Sequence, residues 1–219
     1  MQTRLTLIRH GQTEWNATGK WQGHAAVPLD DTGHMQAQAL AQHLKTLNIN
    51  RIYSSDLSRC IQTAQYITEA LGMEFVIDAR LREIDVGEWQ GLTEEEVRAW
   101  DAERFAQVMA NPFNVRRPGG ESFNDHSTRV TPAILEYVKN HRGEHLVLVT
   151  HGGTIHAIIR GVLRMEIPAD KRQIPNTSLT DITFDADKNE WRLESAGLIP
   201  HLELTEMILP TRVVNPELK

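Results

Sequence analysis

Only one of the 219 residues is a cysteine, Cys60, so no disulfide within the chain can staple the fold. Cationic residues are in the minority: 23 Lys plus Arg against 29 Asp plus Glu leave a formal net charge of −6, with no basic block that could track a nucleic-acid backbone. Nucleic acid is therefore not an expected partner. No apolar run approaches the roughly 18 residues that cross a bilayer, so a membrane is not expected either. The first residues lack the basic stretch, apolar stretch and small-residue cleavage site of a secretory leader. Together with the lone thiol, this gives a cytoplasmic location as the expectation. Internal repeats and low-complexity tracts are absent as well. A chain of this length is read as a single domain over 1–219, with a lid-like excursion at about 84–120.

What is present is an alternation of strand-like and helix-like segments. Leu5 to Ile8 is a short β-rich run that stops at Arg9-His10-Gly11. Thr32 to Leu47 carries Met35, Ala39, Leu40, Leu44 and Leu47 at helical spacing, with Asp30, Asp31 and Thr32 available as caps. A second strand at Arg51 to Ser54 leads into a helix over Asp56 to Leu71 that closes at Gly72. A third strand is expected at Glu74 to Ile77. From Glu83 to Gly120 clear periodicity is lost. A helix over about Ser122 to His141 is interrupted in prospect by Pro132, which should kink or divide it. His145 to Thr150 reads as a fully buried strand, followed by a helix from Thr154 to Leu163, and two further strands fall near Leu179 to Phe184 and Trp191 to Leu193. This order predicts an α/β fold with a mostly parallel sheet and helices on both faces.

Ligands of such sheets gather beyond the carboxyl ends of the strands, and two of these strands end in the same pair, His10-Gly11 and His151-Gly152. The glycines would let the backbone approach a ligand, and the helix start after Gly152-Gly153 would favour an anion. One strand-end histidine alone commonly does no more than satisfy local hydrogen bonds. Two matching ones point to a phosphate.

The segment LIRHGQTEWN at Leu7 to Asn16 resembles the signature of the histidine phosphatase superfamily, the phosphoglycerate mutase-like group. The likeness continues through WQG at Trp21, the run Pro28-Leu29-Asp30-Asp31-Thr32-Gly33, YSSDLSRCIQTA at Tyr53, LREIDVGEWQG at Leu81, PGGES at Pro118 and VTHGG at Val149. It implies a three-layer α/β/α sandwich and metal-independent phosphoryl transfer through a phosphohistidine. His10 would be the nucleophile, with Arg9, Arg59 and His151 around the phosphoryl group and Glu83 as proton donor. Positive charge near His10 keeps its ring neutral and able to attack, and forked guanidinium donors match phosphate oxygens. Glu83 would protonate the leaving alkoxide and then activate water.

Substrate contacts are expected from Asn16, Gln22 and Gly152, with Arg116, Arg117 and His201 as further candidates whose ordinary readings are a solvated basic loop and an exposed tail residue. Thr13 and Thr154 are read as caps, Cys60 as packed, and Trp15, Trp21 and Trp89 as core. His151 and His156, five residues apart, do not share a helix face as a zinc pair would, so no metal or other cofactor is expected. The predicted activity is that of a phosphomonoesterase acting on a small phosphorylated metabolite. The form LREIDVGEWQG and the short segment after Glu83 resemble the small phosphatases more than the mutases; Arg116-Arg117 alone resembles a mutase carboxylate clamp. A cofactor-dependent phosphoglycerate mutase is the alternative. Members of this superfamily are often dimers, so a homodimer is allowed.

Overall fold

The computed structural model describes residues 1–167 and 173–203. Six strands form one sheet: β1 (Gln2–Arg9), β2 (Arg51–Ser54), β3 (Val76–Ile77), β4 (His145–Thr150), β5 (Leu179–Asp185) and β6 (Glu190–Leu198), in the spatial order β3-β2-β4-β1-β5-β6. The first four are mutually parallel, whereas β5 is antiparallel to both β1 and β6. The expected mostly parallel sheet is thus present, with an antiparallel edge.

Side-chain alternation along the central strands builds the layers. Leu5, Leu7, Leu146 and Leu148 face one way, into a cluster with Val130, Ile134, Tyr137, Ile155 and Ile158 of α6 (Phe123–Asn140) and α7 (Gly152–Ile158). Ile8, Val147 and Val149 face the other way, against Leu40, Leu44, Cys60, Ala64 and Ile67 of α2 (Asp31–Leu44) and α3 (Ser58–Leu71). Asp30 caps α2, its side chain accepting from the Gly33 N–H at 2.8 Å, and Gly72 ends α3 with the left-handed φ of 64°.

Two expectations change. Pro132 does not divide α6, which runs as one helix through it. A proline inside a helix costs about 3 kcal/mol. The buried Val130, Ala133, Ile134, Tyr137 and Val138 are each worth up to about 2 kcal/mol against the sheet, and together outweigh it. The segment after Glu83 is also more regular than its pattern suggested. It contains α4 (Glu94–Trp100) and α5 (Ala102–Ala110), which pack through a separate cluster of Ile84, Val86, Trp89, Val97, Phe105 and Val108 with Trp21 against it, while the short α1 (Glu14–Ala17) follows β1. These helices are short, so too few apolar positions repeat for a period to be visible. A turn of π-helix at Ile159–Leu163 prolongs α7, and α8 (Pro200–Glu203) closes the described chain.

Candidate active site

Strands β1 and β4 are adjacent and parallel, with Arg9 opposite Thr150, so the residues that follow them come out side by side. The His10 N–H donates to the Thr150 carbonyl at 2.9 Å, and the His10 and His151 rings lie 5.2 Å apart at 62°. A cleft of about 830 Å³ opens above them. Arg9, His10, Asn16, Gln22, Arg59, Glu83 and Gly152 all line it.

His10 is buried, and its Nδ1–H donates to the Gly11 carbonyl at 2.7 Å, which leaves Nε2 as the unprotonated nitrogen. Burial, then the Arg59 and Arg9 charges, hold its pKa well below the ordinary histidine value, so the ring is neutral at pH 7. Arg59 enters from the first turn of α3 and is fully enclosed. Its Nη1 and Nη2 donate to the carbonyls of Ala25 and Gly23, both at 2.8 Å, and its Nε to His151 Nδ1 at 3.2 Å. Of five N–H donors this leaves one on each terminal nitrogen for a ligand. Arg9 is held through Nη1 by the Ile174 carbonyl at 2.7 Å.

Glu83 faces this cationic wall from a segment that belongs to no strand or helix. Its carboxylate accepts from the N–H of Ile84 at 2.9 Å and of Gly153 at 3.0 Å. A Cβ on Gly153 would stand 2.4 Å from Glu83 Oε1, so the carboxylate fits only because residue 153 is glycine. One N–H at the start of α7, where an anionic ligand was expected, is therefore taken by the protein's own carboxylate, while Gly152 lines the cleft. Gly11 likewise is needed for something other than a ligand, since a Cβ there would meet the Gly33 carbonyl at 2.6 Å. Arg82 turns away from Glu83 into a bidentate pair with Asp56. The Glu83 carbonyl accepts from His24 Nε2 at 2.8 Å and from Arg129 Nη2 at 3.0 Å. Arg129, on α6, spends all five donors, on the carbonyls of Arg80, Arg82 and Glu83 and on Glu121.

Other expected residues sit elsewhere. His151 is fully buried and does not line the cleft: with Nδ1 accepting from Arg59, its Nε2–H donates to Ser55 Oγ at 3.0 Å, so the ring backs Arg59. Arg116 is exposed and forked onto Asp125. Arg117 is buried over the Phe123 ring at 4.8 Å and donates to the Glu121 carbonyl, outside the lining. His201 packs behind the cup, 3.0 Å from Thr177 Oγ1 and 6.0 Å from the His43 ring. Thr13 caps α1, and Thr154 donates to the Arg82 carbonyl. Cys60 is buried, which raises its thiol pKa far above the ordinary range. Trp89 is core, while Trp21 both packs on it and lines the cleft. Among the described residues no three His, Cys, Asp or Glu side chains group as metal ligands, and no helix is long and apolar enough to cross a membrane.

The sequence profile of the histidine phosphatase superfamily (branch 1) matches residues 5–197. The chain belongs to that superfamily. It is 39% identical over 207 residues to phosphoglycerate mutase-like protein 4 of Arabidopsis thaliana, covering 92% of this chain and 87% of the relative. It is 34% identical to a probable phosphoglycerate mutase GpmB of an Enterobacter species, covering 91% and 95%. Among solved structures, phosphoserine phosphatase from Entamoeba histolytica bound to phosphoserine aligns with a TM-score of 0.81 at 33% identity, covering 91% of this chain and 99% of that one. A mycobacterial glucosyl-3-phosphoglycerate phosphatase aligns at 0.77 and 33%, covering 89% and 98%. Superfamily and neighbours together indicate a phosphatase or a mutase.

Sequence reasoning missed Arg129, Asn176 and the cleft residues Lys20, His156 and Gln173, and it assigned Gly153 to a ligand rather than to Glu83. The PNTS run at Pro175 to Ser178 carries a turn signal, yet nothing in it points to a ligand.

Proposed function

We propose that this member of the histidine phosphatase superfamily is a metal-independent phosphomonoesterase acting on a small phosphorylated metabolite. The observation that carries the reading is the pairing across one cleft of a neutral His10, its Nε2 making no hydrogen bond among the described residues, with the carboxyl group of Glu83. In the first step His10 Nε2 forms the N–P bond as the ester P–O bond breaks, and Glu83 gives its proton to the departing alkoxide. Arg9 and Arg59 neutralise the phosphoryl oxygens, and Asn16 and Gln22 add neutral contacts. Gln22 is buried, and its Oε1 has no hydrogen-bond partner among the described residues, which leaves it as an acceptor for a substrate hydroxyl. In the second step Glu83, now a carboxylate, takes a proton from water as water attacks phosphorus and the N–P bond breaks, which releases inorganic phosphate.

A mutase has to hold a glycerate carboxylate while the phosphoryl group is moved. The two arginines offered for that clamp are engaged elsewhere, Arg116 with Asp125 and Arg117 with the Glu121 carbonyl and Phe123, which favours hydrolysis. The test is a panel of small phosphate esters. Release of inorganic phosphate is expected; interconversion of phosphoglycerates after priming with the bisphosphate, without phosphate release, would overturn the reading.

A further inference from the structure

We infer that Asn176 is a positioning residue for the nucleophile, holding the His10 backbone and Asn16 in one geometry; the inference rests on the reading of His10 as the attacking group. Asn176 is buried yet lines the cleft. Its Nδ2 group donates to the His10 carbonyl at 2.9 Å and to Asn16 Oδ1 at 3.2 Å, one hydrogen to each. The peptide unit joining His10 to Gly11 is thereby pinned at both ends, because the Gly11 N–H donates to Thr63 Oγ1 at 3.0 Å. The Gly11 carbonyl, which fixes the His10 ring and its tautomer, is carried on from that unit. A free peptide plane would let the ring turn away from the line of attack.

The turn that delivers Asn176 is held at a cost. Thr177 is a buried, β-branched residue at φ 56°, a conformation that costs such a residue about 1–3 kcal/mol. A glycine would sit there without strain but would lose the hydroxyl, and the hydroxyl is used. Thr177 Oγ1–H donates to the Asn176 carbonyl at 2.7 Å and accepts from His201 Nε2 at 3.0 Å. The Thr177 N–H meets the carbonyls of Arg9 at 2.9 Å and His10 at 3.3 Å. Ile174, in the same turn, accepts from Arg9. One turn thus fixes a phosphate-binding guanidinium, the nucleophile and a neutral donor, and His201 braces it from behind.

The experiment compares the parent protein with Asn176→Ala, using p-nitrophenyl phosphate turnover, vanadate inhibition as a measure of affinity for the five-coordinate state, and inorganic phosphate inhibition. Positioning predicts that kcat/KM falls about 10- to 100-fold and vanadate affinity falls with it, while phosphate affinity stays within about threefold. Turnover within threefold of the parent, or vanadate and phosphate affinities weakening in parallel, would overturn the inference. Asn176→Leu keeps close to the shape and loses the donor without adding charge, and reports the same three constants should the alanine variant not fold. A parent that fails to hydrolyse the ester sinks the proposed function and this inference together; an active parent matched by the variant sinks the inference alone.

Discussion

The two walls of the cleft are made in different ways. His10 hangs from the end of β1, and its neighbour His151 from β4, so the ladder between two central strands sets their separation. Glu83 hangs from a stretch with no ladder of its own, and side chains of α6 and the His24 loop hold it by its carbonyls. The His10 wall inherits its precision from the sheet. The Glu83 wall depends on a few side chains, and above all on Arg129. A wall of the second kind can be loosened by one substitution without touching the core.

The largest expected effect is on the sheet side. His10→Ala should lower kcat/KM by about 10⁴-fold or more while leaving thermal stability close to the parent, as checked by steady-state kinetics and calorimetry; full esterase activity in this variant would end the comparison. Next comes Glu83→Gln, with a loss of about 10² to 10⁴ on alkyl phosphates and a much smaller one in the phosphorylation step with p-nitrophenyl phosphate, whose leaving group departs without a proton. Equal losses on both esters would remove Glu83 from the proton-donor role. Arg129→Met sharpens the contrast: it should cost about 2–3 kcal/mol in a denaturant titration and lower kcat about tenfold, by freeing the Glu83 segment. An unchanged kcat would show that the segment holds itself.

The effect that leaves activity least changed is on stability against pH. His126 is fully buried beneath the Glu83 segment, with Nε2 at the Arg82 carbonyl and Thr154 Oγ1 and with no hydrogen-bond partner for Nδ1 among the described residues. Burial lowers its pKa to about 4. The unfolded ring, with a pKa of about 6.5, takes up a proton that the folded ring refuses, so stability is full above that value and falls as pH drops from there towards 4. The loss is at most about 3 kcal/mol for this ring. Melting curves between pH 7.5 and 4.5 should show the fall, and His126→Gln should make it shallower, the remainder coming from the other buried histidines, His10, His151 and His201. Equal slopes in both proteins would assign the acid sensitivity to other groups.

The same contrast explains what was legible in the sequence. Strand ends at His10 and His151, the capped helices and the order of elements are written in hydrophobic period and in local motifs, and they emerge in the fold. Glu83 was legible only through its motif. Arg129, Asn176 and the packing role of Gly153 were not, because each acts through a backbone carbonyl or through the space of an absent Cβ, and neither leaves a periodic trace. Arg116 and Arg117 misled for the opposite reason. Two adjacent arginines suggest a charge clamp, but which face each side chain takes depends on Asp125 and Phe123, which the pair itself does not reveal.

The central claim is that the phosphoryl group passes through His10. Mixing the protein with labelled p-nitrophenyl phosphate, whose leaving group departs without a proton, and quenching in alkali, where phosphohistidine survives, should trap label on the peptide containing His10 in the parent and more of it in Glu83→Gln, whose second step is slowed. Turnover with no label on that peptide in either protein would contradict the account.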